Sequence, residues 1–261
     1  MNLGLEGAVA AVAGAGAGIG LASALALADE GAHLALGARR PEPLAGAAAA
    51  VAARGVRVAT ACADLATEAG FAALTGAASA ELGGLDAVVI SIGGTPLGDL
   101  DALDDDRWQA AFAGKFLAVL RGVRIAAAQM PRGGAIVIIA GNGSRVARPA
   151  LATSAVVNGA LERIVGELAR RHAPAGIRVN CLSPGPVRTA RYDALLGALA
   201  AGGPGAPGDA EAELLASIPA GRPAEPAEIG AIAAFLASPR ARHISGTTVL
   251  VDGGQAGAAR F

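Results

Sequence analysis

Short apolar runs alternate with longer stretches of helical character from one end of the chain to the other. No other feature confines the fold so tightly. The runs fall at about 8–13, 33–37, 56–61, 86–92, 134–140, 176–182 and 247–251. Most are continuously apolar rather than alternating, as strands covered on both faces are. The helical stretches fall at about 18–30, 41–54, 67–83, 102–130, 153–172, 193–201, 209–217 and 226–238. Strand followed by helix, repeated, predicts right-handed crossovers and a parallel sheet. The expected architecture is one doubly wound α/β domain over residues 1–261, a seven-stranded parallel sheet with helices on both faces. Residues 201–208, AGGPGAPG, suit neither helix nor strand and predict a surface loop. That loop lies within a stretch of about 190–220 rich in Ala, Gly, Leu and Pro, which reads as a mobile, apolar substrate lid.

Residues 7–28 carry no charge, a run long enough to cross a bilayer. Composition argues against a span: the run is mostly Ala and Gly, which contribute little transfer energy. The whole chain, with 69 Ala and 38 Gly in 261 residues, shares that bias. Glu6 stands where a signal peptide would carry positive charge, so a cytoplasmic protein is expected. Net charge is −1 with both signs scattered, which offers nucleic acid no basic face. Cys62 and Cys181 lie in apolar runs and read as buried, inert thiols. His33, His172 and His243 lack metal-ligand spacing, so no metal is expected.

The first strand runs into Gly14-Ala15-Gly16-Ala17-Gly18-Ile19-Gly20, and a helix follows. Glycines there allow a tight turn and let backbone N–H groups approach a pyrophosphate, which a helix N-terminus favours. An acidic residue after the second strand would bind the ribose 2′-hydroxyl of NAD. Arg39 and Arg40 stand there instead. Two guanidiniums suit a 2′-phosphate, so NADP(H) is expected over NAD(H).

These glycines resemble the pattern of the short-chain dehydrogenase/reductases, and three further segments resemble that family in order and spacing. Asp64-Leu65 is similar to its adenine-contacting pair. Pro184-Gly185, Val187 and Thr189 match the motif that clasps the nicotinamide end. Ser245-Gly246 through Asp252-Gly253-Gly254 resembles its C-terminal strand and turn. The resemblance implies a Rossmann-type fold, an oxidoreductase, a small-molecule substrate (an apolar one, given the lid) and a homodimer or homotetramer. Pairing would involve the helices near 102–130 and 153–172, with Phe112, Phe116, Val119, Val157, Leu161 and Val165 serving core or interface.

The chain departs from the family where protons move. Family members use an Asn-Ser-Tyr-Lys set. The tyrosine and lysine positions here hold Ser154 and Asn158, the serine position holds Gly141, and the asparagine position, seven residues after Trp108, holds Lys115. The turn after the fourth strand reads Ile90-Ser91-Ile92-Gly93, keeping only its closing glycine. Lys115 is the sole lysine among 21 basic residues. Set beside Asn158, it reads as an exchange of the family's lysine and asparagine, with Lys115 as electrostatic catalyst or proton donor. Tyr192, the sole tyrosine, stands at the lid's start as a replacement acid or as a packing residue. Asn142 and Ser144 read equally as substrate contacts or turn formers. Three functions are open: an NADP(H)-dependent oxidoreductase with a rearranged site, a catalytically silent NADP(H) sensor or structural protein, and a non-redox lyase or isomerase reusing the pocket.

Overall fold

A computed structural model describes residues 2–98, 100–130, 133–148, 151–202 and 207–257, with the side chains of residues 201, 202, 207 and 208 excepted. Its seven strands are β1 (Val9–Ala13), β2 (His33–Ala38), β3 (Val58–Cys62), β4 (Ala87–Ile90), β5 (Gly134–Ile139), β6 (Ile177–Pro184) and β7 (Thr248–Val251). They form one all-parallel sheet in the order β3-β2-β1-β4-β5-β6-β7. The helices are α1 (Gly18–Asp29), α2 (Pro41–Ala52), α3 (Glu68–Ala77), α4 (Asp105–Ala111), α5 (Ala118–Ala128), α6 (Ala152–His172), α7 (Ala190–Gly202), α8 (Pro207–Ala216) and α9 (Pro226–Ala237).

The strands are apolar throughout because both faces are covered. Val9, Ala11 and Ala13 of β1 face a core with Phe71, Leu74, Ile90 and Leu161. The alternate residues, Ala10 and Val12, face a second core with Leu27, Leu36, Ile229 and Leu236. Small residues let helices close on one another: a Cβ at Gly230 of α9 would sit 2.5 Å from the Ala22 carbonyl of α1. The sequence also punctuates its own helices. Thr67 caps α3 by accepting from the Gly70 N–H at 3.0 Å, and Asp104 caps α4 by accepting from Arg107 at 2.9 Å.

Two stretches expected as unbroken helices are segmented. The 102–130 stretch contains α4, a π-helical segment at Phe112–Leu117, then α5, and the 67–83 stretch ends in a π-helical segment at Ala78–Leu82. A wide turn inserts one residue into the helical repeat, which apolar periodicity does not register. The stretch expected as a loop at 201–208 is shorter in the structure, since α7 runs to Gly202 and α8 starts at Pro207. Residues 203–206 lie outside the described residues. Cys181 is buried, as expected, but Cys62 is exposed, because β3 is an edge strand whose alternate residues lack a cover. Among the described residues, no helix is long and apolar enough to cross a membrane. No group of three or more His, Cys, Asp or Glu among them is placed to hold a metal ion.

Candidate active site

From β1 the chain winds outward through β2 to β3, then crosses back to place β4 on the other side of β1. The C-terminal ends of β1 and β4 therefore diverge, and a crevice opens between the loops that leave them. The glycine turn lies there. The Gly14 and Ala15 N–H groups both donate to the Gly37 carbonyl at 2.9 Å, which ties the turn to the end of β2. A Cβ at Gly20 would sit 2.0 Å from the Gly14 carbonyl oxygen, so α1 starts hard against the turn. Ala17 at its N-cap offers no side-chain cap, and no acid stands in the first turn. The first N–H groups of α1 are thus left for an external anion.

Gly16 is packed against Ala38 and Pro43, so the exposed Arg39 and Arg40 flank the turn at the end of β2. Bare N–H donors, a cradle a Cβ would fill and two flanking guanidiniums fit a dinucleotide. The second expected pair behaves differently. Leu65 is buried against Gly37, underneath the sheet edge rather than on a ligand surface. Asp64 accepts from the Ala66 N–H at 3.1 Å at the C-terminal end of β3.

Beyond the turn lies a cavity of about 360 Å³. Ala17, Gly18 and Ile19 line one side, Pro184, Gly185, Val187 and Thr189 the facing side, and Gly93 the back. Lys115, Ser154, Asn158 and Tyr192 line it as well, so the fold brings all four candidate catalytic residues to one pocket. Arg39, Arg40, Asp64 and Leu65 are not among its lining residues.

Lys115 is carried by the π-helical segment and is only 8% exposed. Its Nζ reaches one long contact, 3.5 Å to the Ala140 carbonyl, although an ammonium has three protons to donate. Burial, and then the Arg191 guanidinium, depress its pKa from 10.5 to about 8. The neighbouring Cys181 thiol offers no relief, because burial pushes it up to about 12 and it stays neutral where the lysine titrates. Gly93 permits this placement: its φ is +83° and a Cβ there would lie 2.7 Å from the Lys115 Cβ.

Asn158 lies near Ala140 as well, across the next residue. A Cβ at Gly141 would sit 2.9 Å from the Asn158 Nδ2. That amide donates to Ser154 Oγ at 3.1 Å, and the buried Asn158 Oδ1 has no partner among the described residues. Tyr192 is buried, and its phenol donates to Glu211 Oε1 at 2.9 Å, tying α7 to α8. Burial and that carboxylate push the phenol up to about 12. Asn142 donates to Gln255 at 2.9 Å, and Ser144 to Glu162 at 2.7 Å. Both are thereby held within the protein scaffold.

Two arginines that line the cavity were not anticipated from the sequence. Arg148 lies in the loop before α6, and Arg191 at the start of α7 donates to the Thr95 side chain at 3.1 Å. A signal existed: between Asp106 and Glu162 the chain has no acidic residue, so Lys115 and Arg148 lack any local partner.

A family model described as enoyl-(acyl carrier protein) reductase matches residues 14–256. An uncharacterised oxidoreductase of Methylorubrum extorquens is 34% identical over 251 residues, covering 96% of this chain and 98% of its own. The A-factor type gamma-butyrolactone 1′-reductase of Streptomyces virginiae is 34% identical over 255 residues, 96% of each chain. Among solved structures, L-sorbose reductase from Gluconobacter frateurii, complexed with NADPH and L-sorbose, matches with a TM-score of 0.88 at 31% identity. The match covers 98% of this chain and 99% of that one.

Proposed function

The chain belongs to the short-chain dehydrogenase/reductase family, a family of oxidoreductases, and from that premise we propose that it is an NADP(H)-dependent member with a rearranged active site. It moves hydride to or from a small carbonyl, alcohol or activated acceptor, with Lys115 in the role of acid. The observation that carries this reading is a buried ammonium, without a carboxylate partner, in the cavity that the glycine turn feeds. Arg39 and Arg40 beside that turn support NADP(H), as does the NADPH found in a solved relative.

Bound NADPH would supply the hydride. As the carbonyl π pair moves onto oxygen, Lys115 faces the developing charge and donates a proton to it. A pKa of about 8 keeps the group mostly protonated at neutral pH, yet leaves the neutral amine accessible after the transfer. Ser154 Oγ accepts from Asn158, and no described residue accepts its own proton. That hydroxyl is therefore free to donate to the substrate oxygen, with Asn158 fixing its orientation. Tyr192 takes no part in this scheme; it anchors the lid through Glu211.

The proposed assembly is a homodimer or homotetramer. Val119, Val157, Leu161 and Val165 are buried within the subunit, so among the described residues the outward apolar contacts fall to Leu100, 60% exposed, Leu117 and Val156, each 47% exposed, and Leu250, 38% exposed.

The test is calorimetric titration with NADPH and NADH, followed by an NADPH-oxidation screen on activated carbonyls. Micromolar NADPH binding is expected, far tighter than NADH, with that preference lost in Arg39→Ala/Arg40→Ala. Absence of binding by either nucleotide overturns the reading. So does tight NADPH binding without turnover across the screen, which would favour a sensor.

A further inference from the structure

The cavity is electrostatically one-sided. Among the described residues, its lining includes Lys115, Arg148 and Arg191 and not one Asp or Glu. Several arginines elsewhere have carboxylate partners: Arg54 has Asp29, Arg145 has Glu162, Arg188 has Glu225 and Arg222 has Glu228. Arg145, three residues from Arg148, takes the nearby Glu162, whose other oxygen accepts from Ser144 and Ser183 at 2.7 and 2.6 Å. Among the described residues, no acid forms an ion pair with Arg148. Its Nη2 is buried with no hydrogen-bond partner among the described residues. Arg191 meets only the neutral Thr95, through contacts of 3.1 to 3.4 Å.

Burial disfavours the charged form of all three groups, and Arg191 further disfavours the charge on Lys115. Desolvated like charges converging on one cavity raise the energy of the empty site, and only a bound anion offsets that. An orphaned guanidinium nitrogen is the strongest form of the same statement, because a planar fork of donors is built for an oxyanion.

We propose that the substrate bears a carboxylate beside or near its reactive carbonyl, and that Arg148, assisted by Arg191, holds this carboxylate while the carbonyl faces Lys115. The assignment rests on the reading of this cavity as the hydride-transfer site. It adds to the expectation of an apolar substrate drawn from the lid: Leu151 and Leu195 line the same cavity and cover the apolar remainder. The other source of an oxyanion here is the pyrophosphate of the nucleotide itself, since Arg191 follows Thr189 by two residues.

The experiment separates these. Two matched pairs serve as probes: phenylpyruvate with 1-phenylpropan-2-one, and pyruvate with acetone. Each is titrated calorimetrically against the full-length protein, with and without saturating NADPH. At least one acid should bind about tenfold or more tighter than its neutral partner, as charge-assisted hydrogen bonds provide. Arg148→Met should remove that preference while leaving the NADPH dissociation constant within twofold, and Arg148→Lys should restore part of it. Circular dichroism of each variant reports folding. The proposal is overturned if no acid outbinds its neutral partner. It is equally overturned if Arg148→Met keeps the preference, or if it weakens NADPH as much as acid, which would give the arginine to the nucleotide. Acid preference without any NADPH binding would sink the hydride-transfer reading and leave the anion site standing.

Discussion

Lys115→Met should make this protein more stable and inactive at once. The side chains have similar length, so methionine fills the same space without the charge. Depression of the lysine pKa from 10.5 to about 8 corresponds to about 3 kcal/mol lost to burying the ammonium. Below pH 8 the folded and unfolded chains both carry the proton and the whole cost is present. Between about 8 and 10.5 the unfolded chain binds more protons than the folded one, so wild-type stability rises with pH. Above 10.5 both are neutral and the cost has gone. The variant should therefore gain most at neutral pH, with Tm higher by roughly 5–10 °C for a chain of this size. The gain should shrink as pH climbs past 8. Differential scanning calorimetry of both proteins from pH 6.5 to 10.5 reads this directly, with other titrations cancelling in the difference. Turnover of a carbonyl reduced by the wild type should fall by about 10²–10⁴-fold, the usual contribution of a positioned acid. A variant with unchanged or lower Tm at pH 7 would refute the desolvated cation. Unaltered turnover would refute its role.

Two further outcomes follow from the lid and the outer helices. Tyr192→Phe removes the phenol that bonds Glu211 but keeps the ring, so kcat should stay within about twofold while Tm drops by a few degrees, a lost hydrogen bond being worth about 1 kcal/mol. A 100-fold loss of kcat would instead make Tyr192 the acid. Leu117→Asp combined with Val156→Glu places charges on exposed apolar side chains, so light scattering should show a monomer where the wild type shows a dimer or tetramer. An unchanged assembly would move the interface elsewhere.

Fold was legible because its determinants are local. Continuous apolar runs in the strands and the glycines at 14–20 each state their structure over a few residues. The glycine turn and its packing against the end of β2 were legible for the same reason. What escaped is non-local. The π-helical segment that carries Lys115 leaves apolar periodicity intact on both sides, so it reads as one long helix. Tyr192 meets Glu211 from another helix, and no spacing rule in the chain announces the pair. Cys62 lies in an apolar run whose outer cover does not exist, because strand order decides which strand is the edge. Arg148, in a loop, and Arg191, at the start of α7, reach the same cavity from segments far apart in sequence. For Arg148 the lack of an acid was visible only as a bias in charge order between Asp106 and Glu162, and for Arg191 no such signal exists.

Three of the four changed catalytic positions are not independent, and this bears on whether the site has decayed or been rebuilt. A side chain at Gly141 would run into the Asn158 amide 2.9 Å from its Cβ, so glycine is there because asparagine is. Asn158 in turn uses that amide on Ser154 Oγ, the group that replaces the tyrosine. Gly93, which the chain retains, must lack a Cβ for the backbone at Gly114 and Lys115 to approach, whatever side chain residue 115 carries. Decay removes constraints, and it would leave substitutions that tolerate one another loosely. Here Gly141, Asn158 and Ser154 narrow what one another can be, while the single lysine of the chain is kept buried at a thermodynamic cost that solvent exposure would remove. A cost held in place by interlocking residues is the mark of a site under functional demand.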